Sequence, residues 1–187
     1  MTRRHSAFVR RIAAVAALSL AMLMLTTSQA NAYSLEPAHW NGQPSPGYCC
    51  ADITVGREAT HSATQTAWSN GISAWNNSPA YIWFDQPSSY KIGLADVDES
   101  ANSSDGLTTY YYAFGYFYSM SAWLNYYWIK SYSTSKAQGV AAHELGHVAG
   151  LGHTSGCVLM TPYSSTRASC GVSTPQSDDI HGIAAIY

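Results

Sequence analysis

Charged side chains are scarce in this 187-residue chain. Asp, Glu, Lys and Arg make up 11% of it, and four of the nine basic residues fall within the first eleven positions. From residue 33 onward, five basic residues face eleven acidic ones, a formal charge of −6. That balance argues against a basic face for nucleic acid, so no nucleic-acid partner is expected. Long apolar runs are also missing. The best candidate, residues 12–25, is too short to cross a bilayer comfortably. Arg3, Arg4, Arg10 and Arg11 precede it and the small residues Ala30 and Ala32 follow it, so residues 1–32 read as a signal peptide cleaved before Tyr33. The expected product is secreted and extracellular, with no stable membrane association after cleavage. No internal repeat is visible, and residues 33–187 suit one domain, expected to act as a monomer. The low charge, combined with 13% aromatic residues, argues against disorder. Cysteines are few: Cys49, Cys50, Cys157 and Cys170 all lie in the exported part, where disulfides persist, and four cysteines allow three pairings.

Prolines and glycines recur through residues 33–50, which predicts an irregular N-terminal arm. Alternation of Ile53 and Val55 predicts a strand over 51–56. In residues 58–79, Trp68, Ile72 and Trp75 are spaced by four and three, which predicts an amphipathic helix with its tryptophans in the core. "YIWF" (81–84) and "YKIGLADVD" (90–98) read as strands, and "ESANSSDG" (99–106) as a loop. Asp96, Asp98, Glu99 and Asp105 cluster around that loop, where a Ca2+ ion is a possible ligand and an ordinary acidic loop the alternative. The aromatic stretch 107–132 suits two strands, joined near Gly115 or at 119–121. Ser135 precedes Gln138 by three, a capping-box spacing that predicts a helix start, and good helix formers continue to Gly150. Thr174 as cap, Pro175 in the first turn and acidic Asp178 and Asp179 predict a C-terminal helix.

The second-last predicted helix carries "HELGHVAGLGH", residues 143–153. On a helix His143 and His147 lie about 40° apart and one turn along the axis, a chelating arrangement. His153 is six residues further on and would point roughly 120° away on an unbroken helix. The helix must therefore end first, and Gly150 is placed to end it, because glycine takes a left-handed conformation without a Cβ clash. Three imidazoles plus a water form a catalytic Zn2+ set. Glu144 flanks the ligand face and can act as general base toward that water. A bare H-E-x-x-H occurs by chance in unrelated proteins, whereas this extended form places the third histidine beyond a break that the geometry requires.

These residues resemble the metzincin metalloproteases, whose pattern H-E-x-x-H-x-x-G-x-x-H is met by His143, Glu144, His147, Gly150 and His153. Met160 in "CVLMTPY" stands where that family has its methionine turn. Within the metzincins the chain is most similar to a minimal matrixin catalytic domain. "VLMTP" places Pro162 at the start of an S1′ pocket wall, and "DDIHGIAAIY" matches the matrixin C-terminal helix. Tyr163 comes three residues after the methionine, whereas the matrixin pocket tyrosine comes four after it. Matrixins hold a second, structural zinc with upstream histidines, but no histidine lies between His61 and His143, so one catalytic zinc is implied. Cys157 and Cys170 bracket the turn as a pair does in small snapalysin-type metzincins, which implies a disulfide between them. The alternative has Cys49 and Cys50 each reach one of them.

The resemblance implies an α+β, zincin-like fold: a twisted, mixed and mostly parallel sheet with an active-site helix and a C-terminal helix. It implies a secreted zinc endopeptidase acting on protein or peptide substrates, which would lie along an edge strand somewhere in 107–123. Two alternatives keep the same fold. One is a zinc hydrolase of a non-protein amide such as a cell-wall crosslink, and the other is a noncatalytic secreted binding module.

Overall fold

The computed structural model describes residues 33–41 and 51–187. The expected signal peptide and the Cys49–Cys50 pair lie outside the described residues. Five strands form the main sheet: β2 (Ala51–Arg57), β3 (Ile82–Asp85), β4 (Ile92–Val97), β5 (Gly106–Ala113) and β6 (Tyr116–Asn125). Their order is β3-β2-β4-β6-β5, parallel throughout except for β5, which pairs antiparallel with β6 at one edge. The expected mostly parallel α+β sheet is present. A second, two-stranded sheet pairs β1 (Ser34–Leu35) antiparallel with β7 (Leu151–Gly152). The N-terminal arm is thus not wholly irregular, because its second and third residues find ladder partners in Leu151 and Gly152, within the motif and just before His153.

Helices α1 (Ser62–Asn76) and α3 (Thr134–Val148) pack against one another and against the sheet. Trp68, Ile72 and Trp75 of α1 are buried, as their spacing predicts. Each indole N–H is satisfied, Trp68 by the Ala95 carbonyl at 3.0 Å and Trp75 by the Ala142 carbonyl at 2.8 Å. Facing them are Val140, Ala141, Leu145 and Val148 of α3 and Ile53, Val55, Ile92, Leu94, Ala122 and Leu124 of the sheet. At roughly 1.5–3 kcal/mol for each large apolar side chain, this burial is the main force holding the two helices on the sheet. A short α2 (Tyr126–Ile129) follows β6, so the aromatic stretch ends in a helical turn rather than in strand. The hairpin turns at Phe114 and Gly115, both with positive φ, the first of the two positions considered.

Two helix starts differ from the sequence reading. The side chain of Ser133, not Ser135, caps α3 by accepting from the Lys136 N–H. The C-terminal helix, α5 (Ser177–Ile186), begins after Gln176, whose side chain forms a reciprocal capping box with Asp179. Asp179 reaches back to the Gln176 N–H at 2.7 Å, a stronger cap than the Thr174 hydroxyl offers.

The acidic cluster also resolves differently from a calcium loop. Asp96 is turned onto the start of α1, where it accepts from the N–H groups of Thr60 and His61, the His61 ring and the Thr64 hydroxyl. Loop 98–105 is held instead by buried Asn125, which donates to the Glu99 carbonyl and accepts from the Glu99 N–H. Asp105 accepts from Tyr132. Among the described residues, the group able to converge on a metal is a trio of histidines, so the calcium expectation finds no support here.

Burial pushes the Asp96 carboxyl up, but its hydrogen bonds outweigh that and hold it at about 2, below an ordinary 3.8. A depressed carboxyl contributes stability above the unfolded value and loses it as pH falls toward the folded one. Asp96→Ala should therefore cost about 2 kcal/mol at pH 7, and the difference should vanish between pH 4 and pH 2. Urea midpoints of both proteins across that range check it, and a gap that persists unchanged at pH 2 would refute it.

Candidate metal centre

Helix α3 brings His143 and His147 to one side, and Gly150, with φ of +98°, ends it. A Cβ at that angle would be strained, so the reversal that carries His153 back depends on glycine. The three Nε2 atoms form a near-equilateral triangle with sides of 3.2, 3.2 and 3.1 Å. For ligands about 2.0–2.1 Å from a tetrahedral zinc, the expected separation is about 3.3 Å. The triangle fits that ion.

The far side of each helix-borne ring shows why the contact between His143 and His147 is not a hydrogen bond. His143 Nδ1 lies 2.8 Å from the Leu159 carbonyl, and His147 Nδ1 lies 2.8 Å from the Leu151 carbonyl. A carbonyl only accepts, so each Nδ1 carries the proton and each Nε2 presents a lone pair inward. Lone pairs 3.2 Å apart repel unless a cation lies between them.

His143 is buried, and burial together with the nearby Arg167 guanidinium holds it well below its usual range, keeping it neutral. His147 would also be lowered by burial, but its hydrogen bond to the Glu36 carboxylate and the charge of Glu144 outweigh this and raise it. His153 is the exposed member and is lowered by partial burial and by His147.

Below the triangle, Met160 is buried against α3. A Cβ on Gly146 would fall 2.3 Å from the Met160 sulfur, so glycine in mid-helix is the condition for this approach. The methionine turn is held from beneath by Asp179, which accepts the N–H groups of Leu159 at 3.0 Å and Met160 at 3.1 Å. The Leu159 carbonyl is the one that takes the His143 proton, so the cap of α5 is two hydrogen bonds from a ligand. Cys157 and Cys170 are bonded to each other. The alternative pairing with Cys49 and Cys50 is therefore not formed.

Glu144 is buried beside the histidines, and burial raises its carboxyl despite the hydrogen bond from Thr108, at 2.8 Å, and the charges of His147 and Arg167. These groups share an open cleft of about 530 Å³ with Gly106 and Leu107 of β5, Asp105, Tyr132, Pro162 and Tyr163. Pro162 and Tyr163 thus lie on the cleft wall beside the histidines, but Tyr163 is 72% exposed and forms its rim. Helix α4 (Ser164–Ser169) then delivers Arg167, 2% exposed, to donate to the Thr161 carbonyl behind that wall.

Sequence reasoning missed Arg167, Thr108, Glu36 and Tyr110. Arg167 carried one available signal, being a lone basic residue after Lys136. The other three reach the site from the edge strand and the N-terminal arm, and no local pattern marks them.

The family model for matrixins, a peptidase M10 family, matches residues 53–187. The chain belongs to the matrixin family. That family places it among zinc metallopeptidases, and the three histidines can hold the zinc. Among solved structures, the archaemetzincin from Archaeoglobus fulgidus is 16% identical over 70% of this chain and 99% of its own, with a TM-score of 0.44. Myroilysin is 17% identical over 65% of this chain and 54% of its own, at 0.41. High choriolytic enzyme 1, a hatching enzyme zinc-protease from Oryzias latipes, is 16% identical over 62% and 50%, at 0.38. The matched part thus covers only about half of the latter two. No curated protein matches the sequence significantly.

Asp179→Ala should leave two N–H groups of the methionine turn unpaired and lower stability by about 3 kcal/mol. Thermal unfolding of the zinc-free protein tests this, and a loss below about 0.5 kcal/mol would show that the turn does not depend on Asp179.

Proposed function

We propose that this chain is a secreted, zinc-dependent endopeptidase in which Glu144 is the general base. The observation that carries the reading is the triangle of Nε2 atoms in an open cleft beside a buried carboxylate. A zinc ion held by His143, His147 and His153 would supply Lewis-acid polarisation of a water and of the scissile carbonyl, bringing the water pKa down to about 7. Glu144 would take a proton from the attacking water as its oxygen bonds to the carbonyl carbon, and would return that proton to the leaving nitrogen as the C–N bond breaks. A carboxylate raised by burial suits both halves of that transfer, because it holds a proton more readily than a free carboxylate does.

Strand β5 supports an extended peptide as substrate. Among the described residues it is the edge strand of the sheet next to the cleft, and Gly106 to Thr108 line the cleft itself. A chain laid along that edge gains main-chain hydrogen bonds on the side opposite β6. Pro162 and Tyr163 then wall the pocket for the residue after the scissile bond. The apolar segment at residues 12–25, preceded by arginines, supports export.

Casein hydrolysis by the purified protein and by Glu144→Ala, with zinc measured in both, tests this reading. Equal zinc content and at least about a 100-fold loss of activity in the variant are expected. If both bind zinc and neither cleaves casein, the endopeptidase reading falls, and a non-protein amide or a binding role replaces it.

A further inference from the structure

The N-terminal arm delivers a carboxylate to the metal centre that the motif does not include. We infer that Glu36 is a positioning residue for the zinc ligand His147, and that the arm carrying it is a working part of the site. This inference rests on the zinc reading above.

Glu36 Oε1 lies 3.2 Å from His147 Nδ1, and its other oxygen accepts the Tyr110 hydroxyl. The Nδ1 proton is therefore shared between the Leu151 carbonyl and a carboxylate. A carboxylate on the far nitrogen fixes the rotation of an imidazole and makes its Nε2 a better donor to a metal. His143 has a neutral carbonyl at the same position and Arg167 beside it, so the two helix-borne ligands are tuned in opposite directions. Tyr110 stands on β5, so Glu36 also ties the edge strand to the ligand.

The backbone of the arm keeps the carboxylate in place. Ser34 and Leu35 pair with Gly152 and Leu151, the Glu36 N–H donates to the Gly150 carbonyl at 2.8 Å, and the Trp40 indole donates to the Val148 carbonyl at 2.8 Å. Residues 34–40 thus grip the chain on both sides of the turn between His147 and His153. A slip of one residue in this register would turn Glu36 away from the ring.

The test titrates zinc into the zinc-free protein against a chromophoric chelator, for the parent, Glu36→Ala and Glu36→Gln. Melting of the zinc-free forms is measured alongside. Glu36→Ala should weaken zinc binding about 10- to 100-fold, and Glu36→Gln, which keeps an acceptor without the charge, should fall between it and the parent. The zinc-free forms of all three should melt within about 2 °C of one another. An affinity unchanged within twofold in Glu36→Ala overturns the inference alone. So does a weakened affinity that appears only with a markedly lower-melting zinc-free form, because the arm is then merely structural. A parent that binds no zinc overturns the metal reading and this inference with it.

Discussion

Three imidazole nitrogens that face one another at 3.1–3.2 Å, each helix-borne one with its proton on the far side, are the constraint on which the rest of this structure depends. Such an arrangement is unfavourable in the absence of a cation, so the protein must hold it by other means. It does so with backbone carbonyls, which fix the tautomer and rotation of two rings before any ion arrives. The Leu159 and Leu151 carbonyls lie on either side of the third ligand in the chain, and each belongs to a segment with its own anchor. Leu159 is anchored by Asp179 and Leu151 by β1. The C-terminal helix and the N-terminal arm, the two ends of the described fold, therefore converge on one small volume.

This convergence explains choices that are costly locally. Gly146 in mid-helix sacrifices about 1 kcal/mol of helix propensity relative to alanine, and the return is contact between α3 and the Met160 sulfur. Asp179 is buried, a burden that three backbone N–H groups offset. Arg167 is likewise buried, with its Nε lacking a hydrogen-bond partner. In a chain with so few charges, the costly groups concentrate around the histidines. The apolar core of α1, α3 and the sheet, with the Cys157–Cys170 bridge, carries the stability that these groups reduce.

Much of the site was legible in the sequence because its chemistry follows helical spacing. His143 and His147 repeat at one turn, and Gly150 followed by His153 makes sense only if the helix ends between them. The core tryptophans were legible for the same reason, since their spacing of four and three is local information. Two helix caps were misplaced, each by two residues. A serine at 133 and one at 135 offer similar hydroxyls, and only the chain path decides which reaches an N–H. Asp96 was misread as part of an acidic loop because its partners, Thr60 to Thr64, lie more than thirty residues away. Glu36, Thr108 and Tyr110 were invisible for the same reason. Their roles arise where strands pair, and register is a property of the fold rather than of any short stretch.

The contrast between Glu144 and Glu36 shows how one fold uses two carboxylates differently. Glu144 is buried at the base of the cleft, and burial raises its affinity for a proton. Burial acts on Glu36 in the same direction, but the bonds from His147 and Tyr110 outweigh it and hold that carboxyl below its usual range. The two carboxyls are therefore shifted in opposite directions, although both are partly or wholly buried. Both contact residues of β5, Thr108 and Tyr110, which lie two apart on the same face of the strand. A substrate pairing with the outer edge of β5 would thus bear on a strand that already orients both carboxylates, so edge binding and the electrostatics of the site are joined through two hydroxyl groups.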